Sequence, residues 1–223
     1  MSAQAPTRRG AAAPARRRPS KAARARRRKV LRRRLFLLAG AVAVTTLVLL
    51  TIVRPFADKA VHEIALPLRH EDIIRQQAAE KTLDPSLIAG VIYVESHFRD
   101  QTSHAGAKGL MQILPATADY IARKSGGTRF TQGDLASPQI NIAYGSWYLR
   151  YLLDHYHGND LLAIAAYNAG EGKVDEWYRD AVMRGEDFQA ATHIPFPETR
   201  DYVARVLDAR SRYREAYGRE LGL

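Results

Sequence analysis

The strongest constraint on this chain is "LFLLAGAVAVTTLVLLTIV", Leu35 to Val53, 19 residues without a charge. As a helix rising about 1.5 Å per residue it comes close to the ~30 Å hydrocarbon thickness of a bilayer. Thr45, Thr46 and Thr51 are compatible with insertion, because their hydroxyls can bond back to helix carbonyls. Residues 1–34 carry 14 of the 34 Lys and Arg residues and no Asp or Glu. That excess places the N-terminus in the cytoplasm and everything after the run outside the inner or cytoplasmic membrane, in a single pass. The run exceeds a signal-peptide core, and no A-x-A-like cleavage site follows it, which favours a retained anchor. "RRLFLL" (Arg33 to Leu38) weakly resembles a twin-arginine export signal, so a cleaved signal is the alternative reading.

The rest of the chain holds 20 basic and 23 acidic side chains, net −3, so the overall charge of +11 belongs to the tail. Residues 1–34 are mostly Arg, Ala, Pro and Ser, a composition that buries too little surface to offset ordering entropy. The expectation is a disordered basic tail. Its charge attracts polyanions. Without interleaved aromatics or a reader motif, however, the expected partner is anionic membrane lipid and not nucleic acid. The chain has no cysteine, which excludes disulfides, thiolate metal sites and thiol nucleophiles.

Residues 54–69, with Pro55 and Pro67, read as a linker that reaches at most about 55 Å when extended. Residues 70–223 are long enough for one domain with a real core. Helix punctuation is frequent there. Asp84-Pro85, Leu114-Pro115 and Ser137-Pro138 open helices, and Gly126-Gly127 and Gly158 follow helix ends. "NDLLAIAAYNAG" is apolar on every side and must be buried. Few segments alternate with period two. The expected fold is mainly α, with about seven helices in the outer domain and one transmembrane helix before them.

The helix that starts at Pro85 carries Ile88, Val91, Ile92 and Phe98 on one stripe, and Glu95 falls on the same stripe. Burial there raises a carboxyl pKa and suits a general acid. The alternative is structural. Arg99, at i+4, would pair with Glu95 and hold it ionised. Other constellations are absent from the sequence. There is no H-E-x-x-H, His155-x-His157 is an isolated pair, and there is no G-x-S-x-G. "GEGKV" lacks the spacing of a phosphate loop. No metal and no cofactor is expected.

Three further stretches are unusual for a plain helical core: "AGAKGLMQILP" (Ala105 to Pro115), "AAYNAG" with Tyr167 and Asn168, and "IPFPETRDYV" (Ile194 to Val203). Singly, each reads as a tight turn, a satisfied buried amide or a helix start. In order, E-S at 95–96, G-L-M-Q at 109–112, A-Y-N-A-G at 166–170 and P-E-T-R-x-Y at 197–202 closely resemble the lytic transglycosylases of the soluble-lytic-transglycosylase (SLT) type. The resemblance spans Leu83 to Val203.

It implies a lysozyme-like (α+β) catalytic domain with little strand, acting on peptidoglycan glycan strands, with cell-wall synthesis proteins as further partners. By the same resemblance Glu95 is the single catalytic acid/base, and Ser96 holds the helix end or the site. Met111 and Gln112 line the groove, with Gln112 on the sugar. Tyr167 and Asn168 lie beside the cleaved bond, Tyr202 orients Glu95, and Glu198 faces the stem peptide. Ser103 is the nearest match to the loop's ligand-binding serine. The implied reaction cleaves the β-1,4 bond between N-acetylmuramic acid and N-acetylglucosamine and leaves a 1,6-anhydro end. The alternatives are a lysozyme-type hydrolase on that bond and a non-catalytic glycan-binding scaffold.

Overall fold

A computed structural model describes residues 21–54, 65–126 and 130–223. The chain divides into two units, Met1–Lys59 and Ala60–Leu223.

In the first unit, α1 (Lys21–Val48) continues into a single π turn, Leu49–Val53. The helix includes Lys21–Arg34, where composition predicted disorder. Arg, Lys, Ala and Leu are all strong helix formers, and a long apolar helix is already nucleated next to them. Residues 1–20 lie outside the described residues. Thr45 Oγ1 and Thr51 Oγ1 donate to the carbonyls of Ala41 and Leu47, at 2.8 and 2.7 Å. Arg28–Val53 is long and apolar enough to cross a membrane, and its apolar side chains are exposed within the unit.

The second unit is built of α2 (Glu71–Lys81), α3 (Pro85–Ser96), α4 (Pro115–Ser125), a 3-10 turn (Gln132–Ala136), α5 (Pro138–His155), α6 (Asp160–Ala169), α7 (Glu171–Met183), α8 (Ala190–His193) and α9 (Pro197–Leu221). The seven expected helices are present, and α8, a single turn, is additional. Strand pairing among the described residues is confined to two isolated antiparallel bridges, Thr102 with Lys108 and Lys108 with Ile113.

Local chemistry explains the helix starts. Asp84 accepts the Ser86 N–H at 2.9 Å with Pro85 in the first turn of α3. Asn159 accepts the Leu162 N–H at 3.2 Å at the start of α6. Ser137 stands at the start of α5 without a capping bond from its side chain, and Pro138 supplies the preset φ.

Helix α6 is sealed in the core from Leu162 to Ala166. Helix α3 is buried from Pro85 to Ile92 and packs on α9. Gly90 permits that approach, because a Cβ there would stand 3.0 Å from the Arg210 backbone nitrogen and 3.2 Å from the Val206 carbonyl. The same packing brings Tyr202 of α9 against Glu95 of α3. The expected linker ends sooner than residue 69. Leu66 is buried, and Tyr217 and Tyr213 donate to the Leu66 and Pro67 carbonyls, so these residues belong to the folded unit. Residues 55–64 of that linker lie outside the described residues.

Candidate active site

Glu95 sits in the last turn of α3. The helix stops at Ser96 because His97 and Phe98 both take left-handed backbone angles, φ 52° and 59°. Arg99 is therefore carried off the helical register and lies exposed. No ion pair to Glu95 is formed among the described residues, so the Arg99 pairing does not occur. Instead Tyr202 donates its hydroxyl to Glu95 Oε1 at 2.6 Å. Burial raises the Glu95 carboxyl to about 7, with the Tyr202 hydrogen bond and the nearby Arg205 charge pulling the other way. A carboxyl with that pKa carries a proton part of the time at neutral pH and is able to give it up and take it back.

The wall beside Glu95 is a loop stapled from three sides. Ser96 Oγ donates to the Leu110 carbonyl at 2.7 Å and to Ile92 at 3.1 Å, tying the helix end to the loop. Asn141, buried in the first turn of α5, accepts the Met111 N–H at 2.8 Å and donates to the Lys108 and Leu135 carbonyls at 2.9 and 3.0 Å. Gly109, at φ +75°, fits only as glycine, since a Cβ there would lie 2.1 Å from Asn141 Nδ2. Tyr167 donates its hydroxyl to the Met111 carbonyl at 2.9 Å, and the negative charge of Glu95 helps hold that phenol well above its usual pKa, after burial.

Met111 itself is fully buried, with its sulfur against Gly145, where a Cβ would come within 2.3 Å. Its side chain lies under the groove rather than in its lining, because Asn141 fixes the peptide and turns the thioether inward. Gln112, at φ 46°, donates its amide to Gly109 and Gln101 carbonyls at 2.8 and 3.0 Å. It lines a cavity with Thr117, Tyr148, Tyr167, Asn168 and Gly170. Glu95 is not among that cavity's lining residues and is linked to it through Tyr167. Asn168 is exposed and accepts the Thr199 hydroxyl at 2.8 Å.

Two other expected site residues are not bonded to this group. Ser103 Oγ accepts the Ala107 N–H at 3.0 Å and closes its own turn. Glu198 is exposed beside a separate shallow cavity with Asp201, Ala204 and Arg205. Residues 72–187 match the family model of the transglycosylase SLT domain. The chain belongs to the SLT transglycosylase family.

Relatives of this SLT chain include the soluble lytic murein transglycosylase of Escherichia coli, 34% identical over 155 residues, or 68% of this chain and 24% of that protein. Membrane-bound lytic murein transglycosylase C of Actinobacillus pleuropneumoniae is 33% identical over 162 residues, 63% of this chain and 44% of that one. Among solved structures, an inactive Glu-to-Gln mutant of the lytic transglycosylase Slt from Pseudomonas aeruginosa superposes with a TM-score of 0.62 at 34% identity, over 69% of this chain and 25% of that one. A complex of the 70-kDa soluble lytic transglycosylase with bulgecin A gives 0.64 at 33% identity, again over 69% of this chain and 25% of that one. The chain thus spans about a quarter of the length of these soluble relatives.

Four residues that bond to or act on this group carry no role in the sequence reading: Asn141, Tyr148, Thr199 and Arg205. Asn141 left a signal, a polar side chain between Ile140 and Ile142 in a helix start. Replacing it with Leu takes this partner from the buried Met111 N–H and the Leu135 carbonyl, at ~1–3 kcal/mol for each group that finds no water, while the Lys108 carbonyl keeps the Ile113 N–H at 3.0 Å. We expect a fall in unfolding free energy of about 2–5 kcal/mol, read by denaturant titration in detergent, with the far-UV spectrum unchanged before the transition.

Proposed function

We propose that the chain is a membrane-anchored peptidoglycan lytic transglycosylase. Its substrate is the β-1,4 bond between N-acetylmuramic acid and N-acetylglucosamine, and its product end is 1,6-anhydro-N-acetylmuramic acid. The observation that carries this reading is Glu95 itself. It is half-buried, free of a cation partner at salt-bridge distance among the described residues, poised at about 7 and held by Tyr202 at 2.6 Å. The charges that act on it include Arg205 and no second carboxylate.

A two-carboxylate glycosidase has its nucleophile or base on the protein. With one carboxyl, the substrate supplies the rest. Glu95 gives its proton to the glycosidic oxygen, and N-acetylglucosamine leaves. The 2-acetamido oxygen of the muramyl residue stabilises positive charge at C1, as in substrate-assisted families. The C6 hydroxyl then bonds to C1, and its proton returns to the Glu95 carboxylate. No water is consumed and the enzyme ends as it began. The anchor reading rests on Arg28–Val53 and the Lys/Arg excess before it, and it puts the catalytic unit on the outer side of the cytoplasmic membrane.

The full chain in detergent, incubated with purified sacculi, should release muropeptides with anhydro ends in the mass spectrum. Ordinary reducing ends would assign the chain to hydrolysis. Tight binding to sacculi with no release would make it a glycan-binding scaffold.

A further inference from the structure

Helix α9 meets both of the helices that end at the site, and it holds each of them at two points. At the site end Tyr202 bonds to Glu95 in the last turn of α3, and Thr199 donates to Asn168 in the last turn of α6. About two turns further along α9, Arg210 reaches the opposite ends of the same two helices. Its Nε donates to Asp84 Oδ2 at 2.7 Å and its Nη1 to Asp160 Oδ2 at 2.5 Å. Asp84 caps α3 and Asp160 opens α6. Both helices therefore run antiparallel to α9, and one guanidinium ties their starts together. The Arg210 and Asp84 side chains are 26% and 12% exposed, so salt screens this pair less than a surface one. Burial would raise the Asp84 carboxyl, yet the bonds from Ser86, Arg214 and Arg210 bring it down to about 2, so it is charged at neutral pH. Arg214 also donates to Asp84, at 2.8 Å, from a side chain that is 54% exposed. Among the described residues, Arg210 is the one cation in an ion pair with Asp160.

We propose that Arg210 is a positioning residue: it sets the axial register of α3 and α6 against α9, and so the placing of Glu95 and Tyr167 relative to Tyr202. The inference deepens the reading of the chain as a transglycosylase and rests on it. The hydrophobic effect is non-directional, so apolar packing opposes a small slide along a helix axis less than a directed bond does. Glu95 lies about 16 Å along α3 from Asp84, and Tyr167 about 10 Å along α6 from Asp160. A hydrogen-bonded helix acts as a rod over such lengths, and a slide at its start is delivered at its end. A misplacement of about 1 Å at reacting groups costs on the order of 10²-fold in rate. The planar guanidinium aims separate N–H groups at two carboxylates and fixes both directions, which the point charge of a lysine does not. The groups that act on Glu95 directly are Tyr202 and Arg205 from α9, with Tyr167 of α6 close enough to feel its charge. Arg210 is not one of them and works through the helices.

The full chain in detergent, acting on peptidoglycan glycan strands, tests this through Arg210→Met, Asp160→Asn and the two combined. Each single change should lower kcat roughly ten- to hundredfold with KM near wild type. The double variant should fall no further, because both changes break one tie. Arg210→Lys should recover the melting temperature and not kcat. Asp160→Asn keeps the side-chain volume and decides the matter if Arg210→Met does not fold. A lower melting temperature with kcat unchanged would mean that Arg210 only stabilises the fold, and it would overturn the proposal. So would full recovery of kcat by Lys, or losses that multiply in the double variant. A wild-type chain that releases no product sinks the functional reading instead, and the register is then read from the ionisation of Glu95. That ionisation is the pH at which the melting-temperature gap between each chain and its Glu95→Gln counterpart stops widening. Charge alone would move it up in Arg210→Met and down in Asp160→Asn. A change of register moves it the same way in both. Opposite movements, or none, overturn the positioning role.

Discussion

Glu95→Gln should reduce release of muropeptides from sacculi by ~10²–10⁴-fold or more, because the amide is the same size yet cannot deliver or retrieve a proton. Binding of sacculi should persist, so pelleting separates lost chemistry from lost recognition. Turnover that survives in the Gln variant would remove Glu95 from the mechanism. The same variant makes a second, opposite statement about stability. The Glu95 carboxyl is raised from 4.5 to about 7 by burial. Below about 4.5 it is protonated in folded and unfolded chains alike and costs nothing. As pH rises toward 7 the unfolded chain releases the proton first, and stability is lost progressively until the folded carboxyl ionises as well. Above 7 the buried charge costs on the order of 2–4 kcal/mol. Glu95→Gln is free of that cost, so its melting temperature should exceed wild type at pH 8 and equal it at pH 4. A site that gains stability when it loses its carboxyl is one held under electrostatic strain for function.

The position of Glu95 was legible because helical periodicity is local. Ile88, Val91 and Ile92 fix the buried face, and Glu95 falls on it by arithmetic. What became of Arg99 was not legible. It turned on two successive left-handed residues, His97 and Phe98, neither of which is a glycine that would announce such a turn. The helical residues of the tail were misread for the converse reason. A composition poor in apolar groups says nothing against a helix that propagates from an apolar neighbour. Leu66 and Pro67 looked like linker because their partners, Tyr217 and Tyr213, lie about 150 residues away in sequence. Met111 shows the limit of carrying a motif across by likeness. The motif marks where the backbone runs, and here Met111 offers Tyr167 its carbonyl while its side chain is turned into the core.

On the proposed mechanism, Tyr202→Phe should lower turnover on the order of 10²-fold, because the carboxyl loses the one hydroxyl bond that would aim it at the glycosidic oxygen. It should also move the alkaline limb of the pH profile. If Glu95 is the acid, the wild-type limb belongs near 7, where its carboxyl ionises. The Tyr202 hydroxyl donates to the ionised carboxylate, and that bond lowers the Glu95 pKa against burial. Without it burial is less opposed, so the limb moves to higher pH even as the rate falls. Arg205→Gln separates the two roles. Arg205 acts on Glu95 through charge alone, so its loss should also raise the limb, and turnover on the acid side should stay near wild type. Because Arg205 is exposed, salt should mimic part of the effect in the wild-type chain. If the limb moves to lower pH in Tyr202→Phe, the hydroxyl serves the protonated acid instead of the carboxylate. The residue that orients Glu95 would then also be the one that keeps its proton in place.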